Sequence, residues 1–255
     1  MTTASPRIAL ITGASRGLGR SAALHLAAQG VQLILTYKDN AAAAQELVAQ
    51  IAAQGSRAVA LRLDVGDSQG FAAFAGQVQR ALADTWQRER FDYLVNNAGM
   101  GFTAAFAETT EAQFDLLADV HLKGPFFLTQ QLLPLIADGG RIVNTSSGLA
   151  RFSFPGYAAY AMMKGGIEVL TRYLAKELGP RGITVNTIAP GAIETDFGGG
   201  TVRDNAQVNA HLRGLTALGR VGLPDDIGGA VAALLSDGNR WVTGQRIEVS
   251  GGMML

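Results

Sequence analysis

Two side chains in the middle of the chain have the types and spacing for proton transfer. Tyr160 and Lys164 lie four residues apart in a segment, Tyr157 to Gly179, that is rich in Ala, Met and Leu, has no internal proline and stops at Gly179-Pro180. This predicts a helix with a marked end, on which an i,i+4 pair shares one face. A free tyrosine has a pKa of about 10, so roughly one molecule in a thousand is ionised at neutral pH. Lowering it by about three units needs roughly 4 kcal/mol, which one ammonium about 4 Å away supplies at an effective dielectric near 20. Lys164 alone suffices. A lone Tyr-x-x-x-Lys is more often a tyrosine and a lysine on an ordinary amphipathic helix, and Tyr157, with Ala161 at its i+4 position, shows how weak the pattern is by itself.

The segment before this helix places further polar groups. Arg141 to Thr145 is a β-branched run that reads as a buried strand, ended by Ser146-Ser147-Gly148. Both hydroxyls therefore stand at a strand's carboxyl edge.

The 255 residues, 48% of them hydrophobic, can bury a large core, and the absence of a linker predicts one domain over residues 1–255. Lys plus Arg balance Asp plus Glu at 21 each, which removes the electrostatic case for a nucleic-acid or membrane-surface partner. Without cysteine there is no disulfide and no thiolate chemistry. His25, His121 and His211 have no metal-ligand spacing, so no metal is expected. No apolar run approaches a membrane span or signal segment, and a cytoplasmic protein is expected.

Seven short apolar runs alternate with helical patterns: Ile8 to Ile11, Val31 to Tyr37, Ala58 to Leu63, Tyr93 to Asn96, Arg141 to Thr145, Thr184 to Ile188 and Arg246 to Val249. Continuous apolar strands separated by helices imply an α/β fold, a doubly wound Rossmann-type parallel seven-stranded sheet covered on both faces. Ligands of such folds sit outside the carboxyl ends of the strands.

The first strand runs into Thr12-Gly13-Ala14-Ser15-Arg16-Gly17-Leu18-Gly19 and then a helix. A glycine turn there lets backbone approach a pyrophosphate and aims the helix N-terminus at it. A glycine motif alone is weak; its place between strand and helix strengthens it. The second strand ends Thr36-Tyr37-Lys38, without the acid that would bind a ribose 2′-hydroxyl, so Arg16 and Lys38 can flank a 2′-phosphate and NADP(H) is favoured over NAD. Asp39 lies one residue further on. Asp64-Val65, after the third strand, can place a carboxylate near an adenine amino group, although an Asp there is often a turn former. Asn96-Asn97-Ala98-Gly99, after the fourth, offers side-chain amides and a small-residue turn beside the cofactor, or a structural cap.

Taken in order, Thr12-Gly-x-x-x-Gly-x-Gly19, Asp64-Val65, Asn96-Asn-Ala-Gly99, Ser147, Tyr160-x-x-x-Lys164 and Pro190-Gly191 with Thr195 resemble the motif set of the short-chain dehydrogenase/reductase family, over essentially the whole chain. The resemblance implies that Ser147 is the catalytic serine and Tyr160 the proton donor. It implies that Lys164 holds the nicotinamide ribose and lowers the tyrosine pKa. The loop from Pro190 through Gly191 and Ile193 to Thr195 would hold the carboxamide. His121 stands where the family usually has an asparagine that helps hold a relay water. Either an imidazole relay persists there with its own pH dependence, or the position is structural.

The expected chemistry is hydride transfer between NADP(H) and a ketone or secondary alcohol, with Tyr160 protonating the oxygen and Ser147 hydrogen-bonding to it. Leu149, Phe152, Phe154, Ile193 and Phe197 suggest an apolar substrate pocket. Gly198-Gly199-Gly200 begins a candidate lid within residues 191–214. A 3-oxoacyl-thioester reductase is an alternative, with Arg172, Lys176 and Arg181 as its basic face. A catalytically silent NADP(H)-binding sensor or scaffold is an alternative of another class. Apolar residues on more than one side of the Tyr157 to Gly179 helix, with the family's habit of association, point to a homo-oligomer, tetramer or dimer.

Overall fold

All seven apolar runs are strands of one parallel sheet in the computed structural model, which describes residues 6–255. In chain order the elements are β1 (Ile8–Ile11), α1 (Gly17–Ala28), β2 (Gln32–Tyr37), α2 (Ala41–Ala53), β3 (Ala58–Arg62), α3 (Phe71–Trp86), β4 (Phe91–Asn96), α4 (Glu111–Ala118), α5 (Gly124–Leu132), β5 (Ile136–Thr145), α6 (Ala158–Leu178), β6 (Thr184–Pro190), α7 (Thr201–Asp204), α8 (Ala206–Gly214), α9 (Pro224–Leu234) and β7 (Arg246–Val249). The strand order is β3-β2-β1-β4-β5-β6-β7. The chain reverses direction across the sheet between β3 and β4, which opens a crevice beyond the carboxyl ends of β1 and β4.

Strand alternation divides the core into two layers. Ala9, Ile11, Leu33, Leu35, Val95 and Val143 point to one face and pack under α1, α2 and α9. Ile8, Leu10, Ile34, Phe91, Leu94 and Ile142 point to the other, under α3, α5 and α6. Each fully buried Leu, Ile or Phe contributes roughly 1.5–3 kcal/mol, so apolar burial on both faces dominates the stability of the sheet.

β5 begins five residues before its expected start at Arg141, and Asp138-Gly139-Gly140, which are turn-forming residue types, make a bulge inside the strand. The register against β4 shifts between Phe91 and Tyr93, and Gly139 takes φ +75°. Arg141 itself is buried, donating to the Leu235 carbonyl and to Asp237 at 2.8 Å, which ties β5 to the end of α9. The expected lid is largely helical, with Gly198, Gly199 and Gly200 all at positive φ where it enters α7. No helix among the described residues is long and apolar enough to cross a membrane.

Candidate active site

β5 ends at Thr145, and Ser146 continues its path by donating its N–H to the Ile188 carbonyl of β6 at 2.8 Å. Ser147 then turns the chain, its hydroxyl accepting from the Leu149 N–H at 3.2 Å. Across from it, α6 presents Tyr160 and Lys164 one turn apart, both buried. Ser147, Tyr160 and Lys164 thus converge at the carboxyl edge of the sheet, as the motif order predicts.

The electrostatics of the pair differ from expectation. Lys164 Nζ donates to the Thr145 carbonyl at 2.7 Å and lies 5.5 Å from the centroid of the Tyr160 ring. Burial pulls the ammonium down to about 7. Burial pushes the Tyr160 phenol above its ordinary value, while the Ser147 hydroxyl beside it pulls the other way. In this structure burial, not Lys164, sets the direction for the phenol, because the amine points at a strand-end carbonyl. A phenol held neutral is in the form that can donate its proton.

His121 sits in a single π-helical turn, Asp119–Lys123, joining α4 to α5. Its Nε2 lies 2.7 Å from the Met100 carbonyl and 3.4 Å from the Met100 backbone nitrogen; the shorter contact, to an atom that can only accept, assigns the proton to Nε2. Nδ1 is then an acceptor, and it is buried without a partner. The ring meets Tyr160 edge-on at 5.2 Å. A Cβ at position 99 would stand 2.8 Å from the imidazole Cε1, so Gly99 makes room for the ring. Burial and the nearby Lys164 charge hold His121 down to about 3, against the bond to Met100 that raises it. The imidazole is neutral at physiological pH and has no titration of its own there.

That depression has a stability consequence. Between pH 3 and 6.5 the unfolded chain binds a proton at His121 that the folded chain does not, so stability is lost as pH falls through this window. The loss is about 1.4 kcal/mol per pH unit. His121→Asn should remove that slope; urea midpoints for both proteins between about pH 4 and 7 check it, and parallel curves exclude a buried neutral His121.

Beneath the site lies a buried polar network. Asn96 donates to Thr129 at 3.0 Å and to Asn144 at 2.8 Å, Asn144 donates to Thr171 at 2.9 Å, and Thr187 donates to Thr171 at 2.7 Å. It fixes β4, β5 and β6 against α5 and α6.

The glycine turn fits a pyrophosphate. Gly13 takes φ +64°, and a Cβ at Gly19 would stand 2.5 Å from the Gly13 carbonyl and 2.6 Å from Asn97 Nδ2. Only glycine serves at either position. The first turn of α1 contains no acid, and Arg16 makes no side-chain cap, which leaves N–H groups there for an anion. Ser15 lies in the turn, and Leu18 packs into the core under α1.

Several expected contacts to the cofactor are already engaged within the protein. Asn97 Nδ2 donates to the Thr12 carbonyl at 2.9 Å, and Thr12 Oγ1 accepts from the N–H groups of Asn97 and Ala98, each at 2.9 Å. The Asn97 amide therefore locks the glycine turn to the Asn-Ala-Gly turn, leaving backbone toward the crevice, and the Asn96 amide faces the core. Lys38 pairs with Asp64 at 2.8 Å, and Arg16 lies 4.0 Å from Asp196. Neither cation is without an acid. Burial raises the Asp64 carboxyl, but bonds from Lys38 and the Gly66 N–H leave it lowered overall. Arg62, beside Tyr37 in the sheet register and donating to the Lys38 carbonyl at 3.1 Å, is a third cation there that strand-end spacing did not reveal.

Val65 packs against the layer under α3. Gly191 donates to the Val249 carbonyl at 3.1 Å, Ile193 bridges to Gly222, and Thr195 approaches the glycine turn, where its Cγ2 lies 3.7 Å from where a Gly17 Cβ would stand. The loop after β6 thus closes over the crevice.

Of the expected pocket residues, Leu149 and Phe154 line a cavity of about 540 Å³ with Thr103, Phe106, Pro155 and Tyr157, and no charged side chain lines it. Phe197 instead lies on Tyr160, ring centroids 5.7 Å apart. Phe152 packs with Leu212 and Met253, and Ile193 is held against Gly222 and the core under α1. Met100 was missed because only its backbone meets His121, and a backbone contact leaves no mark in residue type.

The strand order and the glycine turn define a Rossmann-type protein. A family model described as enoyl-(acyl carrier protein) reductase matches residues 13–254. A 3-oxoacyl-[acyl-carrier-protein] reductase of Synechocystis is 34% identical, with 100% of each chain covered. A tetrahydroxynaphthalene reductase of Pestalotiopsis fici is 35% identical, over 96% of this chain and 91% of that one. The crystal structure of the angucycline C-6 ketoreductase LanV with bound NADP superposes with a TM-score of 0.92 at 37% identity, covering 97% and 95% of the two chains. The chain belongs to the short-chain dehydrogenase/reductase family and is an oxidoreductase.

Proposed function

We propose that the protein is an NADPH-dependent ketoreductase whose site is Ser147, Tyr160 and Lys164. The convergence of these three at the sheet's carboxyl edge, beside a glycine turn that fits a pyrophosphate, carries the reading, and LanV's bound NADP supports the choice of cofactor. Bound NADPH supplies the hydride. Ser147 and Tyr160 fix the carbonyl oxygen, and the neutral phenol gives its proton to that oxygen as charge develops. Lys164, with one N–H on the Thr145 carbonyl, would use its other donors to hold the ribose and return a proton to the phenol. Gly13, Gly17 and Gly19 would hold the pyrophosphate, Arg16, Lys38 and Arg62 the 2′-phosphate, and the loop from Pro190 to Thr195 the carboxamide. NADPH oxidation with a panel of aliphatic, aromatic and acyl-thioester ketones tests the reading, and a protein that binds NADPH yet reduces none of them is the silent sensor instead.

The uncharged cavity lined by Leu149, Phe106 and Phe154 favours an apolar ketone. The Synechocystis relative favours an acyl-thioester substrate, but the basic face for an acidic carrier is partly occupied: Arg181 is bonded to Asp138 at 2.7 Å, and Arg172 to the Glu168 carbonyl at 3.2 Å. Phe197, at the start of the three left-handed glycines, covers Tyr160 as part of a lid over residues 191–214.

Replacing Lys38 by Asp should narrow or reverse the preference for NADPH over NADH, because it turns a phosphate partner into a repelling acid beside Asp64. Charge-assisted bonds are worth roughly 1.5–3 kcal/mol each, so two give a preference of about a hundredfold or more in the parent. Equal kcat/KM for the two cofactors in the parent excludes this arrangement.

Met162, Val169 and Tyr173 form an exposed apolar stripe on α6, with Phe114, Phe126 and Phe127 exposed on α4 and α5. Such a face suits a symmetric homo-oligomer, tetramer or dimer. Use of NADPH and the absence of cysteine suit a cytoplasmic setting.

A further inference from the structure

β7 is an edge strand whose two faces differ. Ile247 and Val249 pack into the apolar layer under α1 and α9, as a strand of a doubly wound sheet should. The other face carries Arg246 and Glu248, which reach toward α6 and the Ser147 turn. Arg246 Nε donates to Glu168 at 2.6 Å, Nη1 to Glu248 at 3.0 Å, and Nη2 to the Ser147 carbonyl at 3.3 Å. The Glu168 oxygen that receives Nε also accepts from the Ser146 hydroxyl at 2.7 Å. Glu248 is held in turn by Arg151, just beyond the Ser147 turn, at 2.8 Å. The ion pairs of Arg246 are largely shielded, with side-chain exposures of 22% for Arg246, 16% for Glu168 and 18% for Glu248.

The placement relates directly to the site. Glu168 continues the line of Tyr160 and Lys164 at the next i+4 position of α6, one turn below the amine. A single planar guanidinium therefore holds the helix that carries the tyrosine and the turn that carries the serine in one fixed relation, using donors that diverge at set angles. We propose that Arg246 is a positioning residue: it fixes the Ser147 carbonyl and, through Glu168, Ser146 and α6, so that the Ser147 hydroxyl is held against the substrate oxygen beside Tyr160. The inference rests on the reading of Ser147 as a hydrogen-bond donor to that oxygen.

Because Arg246 acts through Ser147, its effect must vanish when the serine hydroxyl is gone. The test is a double-mutant cycle of Arg246→Met and Ser147→Ala, measuring kcat and KM on one ketone that the parent reduces, with NADPH affinity by fluorescence and a thermal melt for each protein. Arg246→Met should lower kcat about ten- to a hundredfold, the size of effect expected when a reacting group is misplaced by about an ångström, with NADPH affinity unchanged within a few fold. In the Ser147→Ala background it should lower kcat no further. Arg246→Lys keeps the charge without the fork; it should lose activity by several fold, again only when Ser147 is present, and it replaces the Met variant if that one fails to fold. Losses that multiply in both backgrounds overturn the clamp while leaving the function of Ser147 intact. Parental turnover in Ser147→Ala alone overturns the reading of Ser147, and the clamp with it.

Discussion

Tyr160→Phe should lower turnover by on the order of a thousandfold while leaving NADPH binding within a few fold, the range set by loss of a positioned general acid. The phenylalanine keeps the ring that packs edge-on against His121 and beneath Phe197, so the fold and the cofactor crevice are preserved. What disappears is the hydroxyl, and among the groups brought together here no other neutral acid stands ready to replace it. Ser147 is a far weaker acid, His121 is unprotonated at Nδ1, and Lys164 is turned toward the Thr145 carbonyl. Tyr157→Phe is the control. Tyr157 stands just before α6 and lines the neighbouring cavity, so removing its hydroxyl should leave kcat within a few fold. Single-turnover reduction with saturating NADPH measures both, and an inactive Tyr157→Phe beside an active Tyr160→Phe would falsify the assignment.

The second large effect is on stability and follows from the same burial. Lys164 titrates at about 7 when folded against 10.5 as its ordinary value, so between these values the unfolded chain binds a proton that the folded chain does not. Stability therefore rises with pH across that window, by about 1.4 kcal/mol per unit and roughly 5 kcal/mol in sum. Tyr160 is shifted upward by burial, so above pH 10 the unfolded chain loses a proton first and stability falls again. These two groups by themselves thus favour the fold of the cofactor-free protein most near pH 10. In Lys164→Met the rising limb disappears and the falling limb remains, while ketone reduction and NADPH affinity are both lost. Urea midpoints of the two proteins from about pH 7 to 11 decide it. Parallel curves between neutrality and pH 10 would mean that the amine is solvated. The lysine is in this sense a functional group kept at the expense of stability.

The sequence by itself determined the architecture. Seven apolar runs separated by amphipathic stretches have no other way to bury both faces of each strand, so the parallel sheet, the bounds of β1 and β7 and the helix carrying Tyr160 follow from periodicity and local stops. The placement of Ser147, Tyr160 and Lys164 at the sheet's carboxyl edge was equally legible, because the strand-turn-helix pattern fixes where they stand. The bulge at Asp138-Gly139-Gly140 was not, since the residue types there are turn-forming and only pairing with β4 reveals a strand.

Only the tertiary structure decided how the groups are electrically disposed and what holds them. A pKa depends on depth and neighbours: the same Lys164 that would acidify a tyrosine in a wet site is itself depressed in a dry one, and His121 becomes a neutral ring tied to a backbone carbonyl. The Asn97 amide was read as facing the cofactor, yet it closes the glycine turn from across the sheet, a partnership between residues 84 and 85 positions apart. Arg246 and Glu168 lie 78 positions apart and meet beneath Ser147. Spacing along the chain records which residues share a helix face or a turn. It carries no record of which distant charges the packed sheet will bring within 3 Å of one another, and that is where the support of this site is built.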